Sequence, residues 1–149
     1  MVIYFGADHR GFNLKQGLIA FLGNQGYELA DLGNTVLDEG DDYPDFAAAV
    51  AKKVSLNSEQ SRGVLICGSG VGMDIAANKF RHIRAALGFS ADQVFDARHD
   101  DDVNILCLPA DFISDQDAQK MLKVFLETPF ADDARFRRRL EKISQIENE

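Results

Sequence analysis

Val64-Leu65-Ile66-Cys67-Gly68-Ser69-Gly70-Val71-Gly72 runs from an unbroken apolar stretch straight into three glycines at alternate positions. Consecutive apolar residues fit a strand buried on both faces, and the segment beyond, through Ile75 and Asn78, has helical character. A buried strand feeding a glycine loop and then a helix is a βα unit, so this stretch assigns the chain to the α/β class. The glycines let the backbone approach a ligand closely and aim N–H groups at it. The helix start adds partial positive charge, so the loop suits a phosphate or a developing oxyanion, and the same field favours the thiolate of Cys67. Two plainer readings stand beside this one: Cys67 as a small buried hydrophobe, and the loop as a dinucleotide-binding turn. The second fails on detail, because the spacing is G-x-G-x-G rather than G-x-G-x-x-G and follows the third strand rather than the first. Cys107 is the contrast: it lies inside an apolar run with no glycine loop and reads as core packing.

Outward from this loop, short apolar runs alternate with longer helical segments, the βαβ pattern of a parallel sheet. The expected strands are Val2–Phe5, Glu28–Leu32, Gly63–Cys67, Ala85–Phe89 and Asn104–Leu108. Leu14, Leu18, Phe21 and Leu22 make one core-facing helical stripe, and Pro44 opens a second helix through Ala47, Val50 and Val54. Ser90 and Gln93 resemble a capping box for a helix reaching Asp100, Ser114 heads another, and the last helix, about 133–148, carries Phe136, Leu140 and Ile143 on one side. The expectation is a single domain, 1–149: a Rossmann-like three-layer sandwich with a five-stranded parallel sheet. In such sheets ligands bind beyond the carboxyl ends of the strands.

Composition narrows the function. A chain of 149 residues can bury a core without metals or disulfides. No apolar run reaches membrane-spanning length and the N-terminus lacks an export-signal pattern, so a soluble protein is expected, with no membrane partner. Two cysteines on separate apolar runs suit reduced thiols in a cytoplasm. A net charge of −8 argues against a nucleic-acid partner.

The residues after the strands carry the remaining signals. Asp8, His9 and Arg10 follow strand one; they read as a functional cluster or as a surface turn with Asp8 capping the next helix. Asp38–Asp45 reads as a solvated acidic loop, in which Tyr43 beside Pro44 could present a fixed phenol to a ligand. Asp96–Asp102 is dense in metal-type ligands. It reads as a metal site on Asp100–Asp102 or as an acidic helix C-terminus that opposes the helix dipole and needs local compensation. Arg135 and Arg139, spaced i, i+4, share a helix face and form either a fork for phosphate or carboxylate or a basic face paired with Asp132, Asp133 and Glu141.

Four ordered motifs, Gly6-x-Asp8-His9-x-Gly11-Phe12-x-Leu14-Lys15, Asp42-Tyr43-Pro44, Cys67–Gly72 and Ile75-Ala-Ala-Asn78-Lys79, span nearly the whole chain. Together they resemble the type B ribose-5-phosphate isomerases and the related galactose-6-phosphate isomerase subunits. The resemblance implies aldose–ketose isomerisation of a sugar phosphate through an enediolate, with no metal and no cofactor, in a homodimer or tetramer whose active sites are shared across the interface. It makes Cys67 the base, Ser69 the handler of the oxygen proton, and Asp8 the ligand of sugar hydroxyls. The amides of Gly70, Val71 and Gly72 become the donors to the enediolate oxygen, and His9, Arg10, Tyr43, Gly68, Asp100, Asn104, Arg135 and Arg139 substrate contacts. The pattern departs from that family in three places. The ring-opening His position holds Asp100, with His99 one place early, where a one-residue shift on a helix swings a side chain by about 100°. Asp111 stands where a phosphate-binding Arg belongs, with Arg10 and Arg137 as candidates to balance it. Phe136 replaces a His. These departures imply a changed ring-opening step and tail recognition, with an open-chain sugar phosphate, a sugar acid or an unphosphorylated sugar as candidate substrates beside ribose 5-phosphate. A non-catalytic sugar-binding subunit of a hetero-oligomeric isomerase is the alternative.

Overall fold

The computed structural model describes residues 1–149. Five strands, β1 (Val2–Ala7), β2 (Glu28–Asp31), β3 (Ser61–Cys67), β4 (Ala85–Leu87) and β5 (Ile105–Pro109), form one parallel sheet in the order β2-β1-β3-β5-β4. Six helices surround it: α1 (Phe12–Gly23), α2 (Tyr43–Leu56), α3 (Val71–Ala77), α4 (Ala91–Asp101), α5 (Asp115–Glu127) and α6 (Ala134–Glu147). The five strands lie where the apolar runs place them, with ends moved by one or two residues: β1 runs on to Ala7, and β4 stops at Leu87, short of the exposed Phe89.

Alternation along the strands divides the core into two layers. Val64 and Ile66 join Ile3, Phe5, Leu106 and Leu108 beneath α1, α4 and α5, while Leu65 and Cys67 face α2 and α3 with Ile105 and Cys107. Each fully buried Leu, Ile, Val or Phe here contributes about 1.5–3 kcal/mol of transfer free energy. Gly63 is needed for this packing, because a Cβ there would sit 2.8 Å from Val50 Cγ1 and 2.9 Å from Ile105 Cγ1.

Ser90 caps α4, its hydroxyl accepting the Gln93 N–H at 3.2 Å. The reciprocal half of a capping box is absent: the Gln93 amide accepts from Phe89 N–H and donates to Leu87 O, fastening the helix to the end of β4. The acidic end of α4 finds its compensation in Asp102. Left-handed at φ 47°, this residue receives Arg84 at 2.7 Å and the buried Arg98 at 2.8 Å. Helix α6 departs from a simple amphipathic helix. Phe136 is its one buried residue, Leu140 is half-buried, and Ile143 and Ile146 stay exposed.

One buried charge shapes the sheet edge nearest the site. Lys15 on α1 is fully buried, and its Nζ donates to both oxygens of Asp31 at 2.7 and 2.8 Å and to Asn34 O at 2.9 Å. A buried ammonium is tolerated only when paired and hydrogen-bonded in this way, and the arrangement ties α1 to the loop that follows β2.

Candidate active site

Strands β1 and β3 are neighbours, but the chain leaves them in opposite directions across the sheet, which makes the space above their carboxyl ends the switch point of the fold. Ala7 pairs with Ile66, so Asp8 and Cys67 come off adjacent strands at the same level. Asp8 N–H donates to Ile66 O at 3.3 Å, and Gly11 packs so close to that carbonyl that no Cβ would fit. The Asp8–Gly11 turn is thereby drawn against β3.

Asp8 is 5% exposed. Its Oδ1 accepts the N–H groups of Arg10 at 3.0 Å and Gly11 at 3.1 Å, while Oδ2 has no partner in the chain. It therefore caps the turn ahead of α1 rather than the helix itself, whose N-cap is Gly11. Beside it, Cys67 ends β3 and is 5% exposed. The carbonyls of Cys67 and Gly68 accept Ala110 N–H at 2.9 Å and Asp111 N–H at 3.0 Å, which pins the loop to the end of β5. The N–H groups of Gly68, Ser69 and Gly70 find no protein acceptor, the property an anion-receiving loop requires. Ser69 is exposed, and its hydroxyl is 3.4 Å from Val71 N. Cys107, by contrast, is fully buried, and desolvation first, with the charges of Asp74 and Cys67 behind it, pushes its thiol well up. It is core, as its position predicts.

Gly70 turns the loop with φ 75°, and a Cβ there would run into Leu87 Cδ1 and lie 3.2 Å from the backbone of Leu108 and Pro109. Left-handed strain plus overpacking should make Gly70→Ala less stable by about 2–4 kcal/mol. The thermal midpoint falls accordingly, and an unchanged melt would show that the loop relaxes freely.

Two side chains rim the loop. The Tyr43 ring lies against Gly72, where a Cβ would come within 2.6 Å of Tyr43 Cζ. The Arg10 guanidinium lies across Gly68 and is ion-paired with Asp111. The carboxylate that would repel a phosphate is thus balanced by Arg10. Arg137, the other candidate, is engaged instead by Asp132 at 3.1 Å.

His9 is held from below. Its N–H donates to Asp41 Oδ1 at 3.0 Å and its ring Nδ1 lies 2.8 Å from the same oxygen. Asp41 Oδ2 accepts from Asn34 Nδ2 at 2.9 Å. The bond to Asp41 is the main reason that the His9 pKa is raised; partial burial opposes it, and the charges of Asp8, Asp41 and Glu39 add to it. Asp8, His9 and Asp41 bring metal-type ligand atoms within 4.8 Å of one another, yet His9 Nδ1 and both Asp41 oxygens are already engaged by hydrogen bonds. Asp100, Asp101 and Asp102 do not converge: Asp100 binds His99, and Asp102 binds Arg84 and Arg98. That stretch therefore does not gather a set of metal ligands in one place.

The remaining candidates lie at the other end of the sheet. Helix α4 runs back from the end of β4 to the start of β5, so His99 and Asp100 sit roughly 15–20 Å from Cys67 along the strand direction. His99 stacks on Phe95 at 5.3 Å, meets Phe136 edge-on at 5.9 Å, and has Nδ1 2.7 Å from Asp100 Oδ1. Arg135 and Arg139 both lie over the Phe136 ring, at 4.7 and 5.7 Å, which confirms their common face. Their expected acidic partners are mostly elsewhere; the nearest is Asp133, 3.7 Å from Arg135. Asn104 is corrected from a substrate contact to a structural residue. It is 1% exposed, accepts Arg84 N–H at 2.9 Å, and donates to His82 O at 2.7 Å.

Within one chain, then, Asp8, His9, Arg10, Tyr43 and the Cys67–Gly72 loop converge, whereas His99, Asp100, Arg135 and Arg139 form a second group. Asp41 and Asn34 were not singled out by the sequence. Asp41 hid in an acidic run whose composition says only that it is solvated, and its contact with His9 spans 32 residues.

Comparison with known proteins finds relatives along nearly the whole chain. The ribose/galactose isomerase family model covers residues 3–143. The probable ribose-5-phosphate isomerase B of Mycoplasma genitalium is 41% identical over 147 residues, covering 99% of this chain and 96% of the relative. The ribose-5-phosphate isomerase B of Escherichia coli is 37% identical over 145 residues, 97% of this chain and 95% of the relative. Among solved structures, the M. genitalium enzyme with bound ribulose-5-phosphate superposes with a TM-score of 0.96 at 40% identity, covering 99% of this chain and 97% of that one.

Proposed function

Since the chain belongs to the ribose/galactose isomerase family, we propose that it interconverts an aldose phosphate and its ketose, with ribose 5-phosphate and ribulose 5-phosphate as the substrate pair. The observation that carries this reading is the Cys67–Gly70 loop: a thiol and three acceptor-free N–H groups beside the Asp8 carboxylate. Proton abstraction next to a carbonyl needs a base on one side and donors for the developing oxyanion on the other. Cys67 as thiolate takes the proton from C2 of the aldose and returns it to C1. The loop N–H groups hold the enediolate oxygen, the Ser69 hydroxyl passes the oxygen proton, and Asp8 Oδ2 receives the sugar hydroxyls.

Phosphate recognition falls to His9 and Arg10 on the rim, with Asp111 balanced by Arg10 rather than facing the anion alone. His99, Arg135 and Arg139 complete the site from a second copy of the chain. Exposed Phe95 and Ile143, and the open edge of β4, support such a dimer. In this reading His99, held by Asp100 at 2.7 Å, serves to open the sugar ring. No helix is long and apolar enough to cross a membrane, and two free, buried thiols suit a reducing cytoplasm.

NMR in D₂O tests the reading, with ribose 5-phosphate, an open-chain tetrose phosphate and free ribose offered in parallel. Interconversion of ribose 5-phosphate with deuterium entering beside the carbonyl is the expected result. Exchange with the tetrose phosphate alone would mean that ring opening is lost. Binding without exchange of any sugar would leave a non-catalytic subunit.

A further inference from the structure

We propose that Asp41 is a positioning residue for substrate binding: it clamps His9 through both the backbone N–H and ring Nδ1, leaving the Nε2–H of the imidazolium as the ring's free donor for the substrate phosphate. The inference rests on the reading of His9 as an anion-binding group and adds the residue that makes it one. An ionised carboxylate is acceptor-only, so the 2.8 Å contact with Asp41 Oδ1 places a proton on Nδ1 and fixes the ring's orientation. Nε2 makes no bond within the chain, and the His9 side chain is 32% exposed while that of Asp41 is 6% exposed. The carboxylate is buried behind the imidazole, in the relation of an orienting group to the group that it serves.

Asp41 is itself held. Asn34 donates to its Oδ2 at 2.9 Å, and Asn34 is fixed in turn by the buried Lys15, whose Nζ donates to Asn34 O at 2.9 Å. Lys15 is neutralised by Asp31, so its charge does not oppose a cationic His9. The charged groups acting on His9 are Asp8 from the end of β1 and Glu39 and Asp41 from the loop before α2, all of which favour the imidazolium. The adjacent Arg10 is turned towards Asp111. Asp41, Asn34 and Lys15 make no hydrogen bond to Cys67 or its loop. This chain of contacts therefore acts on how firmly the phosphate is held and in which pH range, not on proton transfer.

The consequence is a pH window. A sugar phosphate becomes fully dianionic above its second ionisation, at about pH 6, and the imidazolium persists only below the His9 pKa. Because Asp41 raises that pKa, the range in which dianion meets cation is extended on its alkaline side.

Asp41→Asn separates charge from geometry. An amide oxygen can still accept both His9 N–H groups, and the Asn34 side chain can turn its own oxygen to the new NH₂. For ribose 5-phosphate, KM should rise about tenfold near pH 8 with kcat within about twofold, and the alkaline rise in KM should begin at lower pH. Inhibition by inorganic phosphate should weaken in parallel. His9→Gln should remove the alkaline limb, and adding Asp41→Asn to it should change nothing further. If Asp41→Asn leaves both the limb and phosphate inhibition as in the native protein, while His9→Gln raises KM, the proposal fails and the anion site stands. If His9→Gln alters neither, the reading of His9 fails, and the proposal with it. NMR titration of the His9 ring in the unaltered chain gives an answer independent of the variants. Titration above the free histidine value supports the clamp, and titration at or below it overturns the clamp.

Discussion

Cys67→Ala should lower kcat for isomerisation by about 10²–10⁴-fold, the contribution expected of a positioned general base, and should stop deuterium uptake from D₂O beside the sugar carbonyl. The remaining machinery is untouched by the change. Asp8 still presents Oδ2, and the loop N–H groups still lie free, so KM for the substrate should stay within a few-fold. Stability should also hold. The truncation removes one sulfur at the end of a strand, a loss of about 1 kcal/mol, which moves the thermal midpoint of a chain this size by about 2–4 °C. Cys107→Ala is the matched control, since that thiol is fully buried in the same layer, in the middle of β5 and two residues short of the sheet's carboxyl edge. Deuterium exchange that survives in the Cys67 variant at the native rate would transfer the role of base to another group.

The second large effect is a restoration. Arg135→Ala/Arg139→Ala removes two exposed guanidiniums that lie over the Phe136 ring, and leaves Phe136 itself, the one buried residue of α6, in place. Each charged hydrogen bond to phosphate is worth about 1.5–3 kcal/mol, so the double variant should raise KM by about 10²-fold or more. In one chain these arginines lie at the opposite end of the sheet from Cys67, so they can serve a phosphate there only across an interface. On the proposed dimer with shared sites, co-expression of this variant with Cys67→Ala should give heterodimers in which one site carries both lesions and the other carries neither. With random pairing of equal amounts, about a quarter of the native activity returns. Activity equal to the sum of the two separate variants would mean that each chain works alone or that α6 contributes nothing to the site.

The legible part of this protein was local. The strand before Cys67, the alternation that splits Val64 and Ile66 from Leu65 and Cys67, the caps at Ser90 and Ser114, and the i, i+4 face of Arg135 and Arg139 are all set by residues a few positions apart. Such patterns survive folding because backbone periodicity and turn chemistry act over the same short range. Asn104 shows the limit. Its place in a motif said substrate, but Arg84, just before β4, and His82, in the turn ahead of it, bond to both ends of its amide.

What the sequence by itself determined was the α/β class, the placement of its five strands, and the loop on which Cys67 and its neighbours stand. Only the tertiary structure decided which charge answers which. Arg10 meets Asp111 across 101 positions, and His9 meets Asp41 across 32. Composition assigned neither pair. Partners so far apart are chosen by strand order and by how tightly glycines such as Gly11 and Gly68 let turns close on the sheet, and those are properties of the packed chain rather than of any repeating pattern along it.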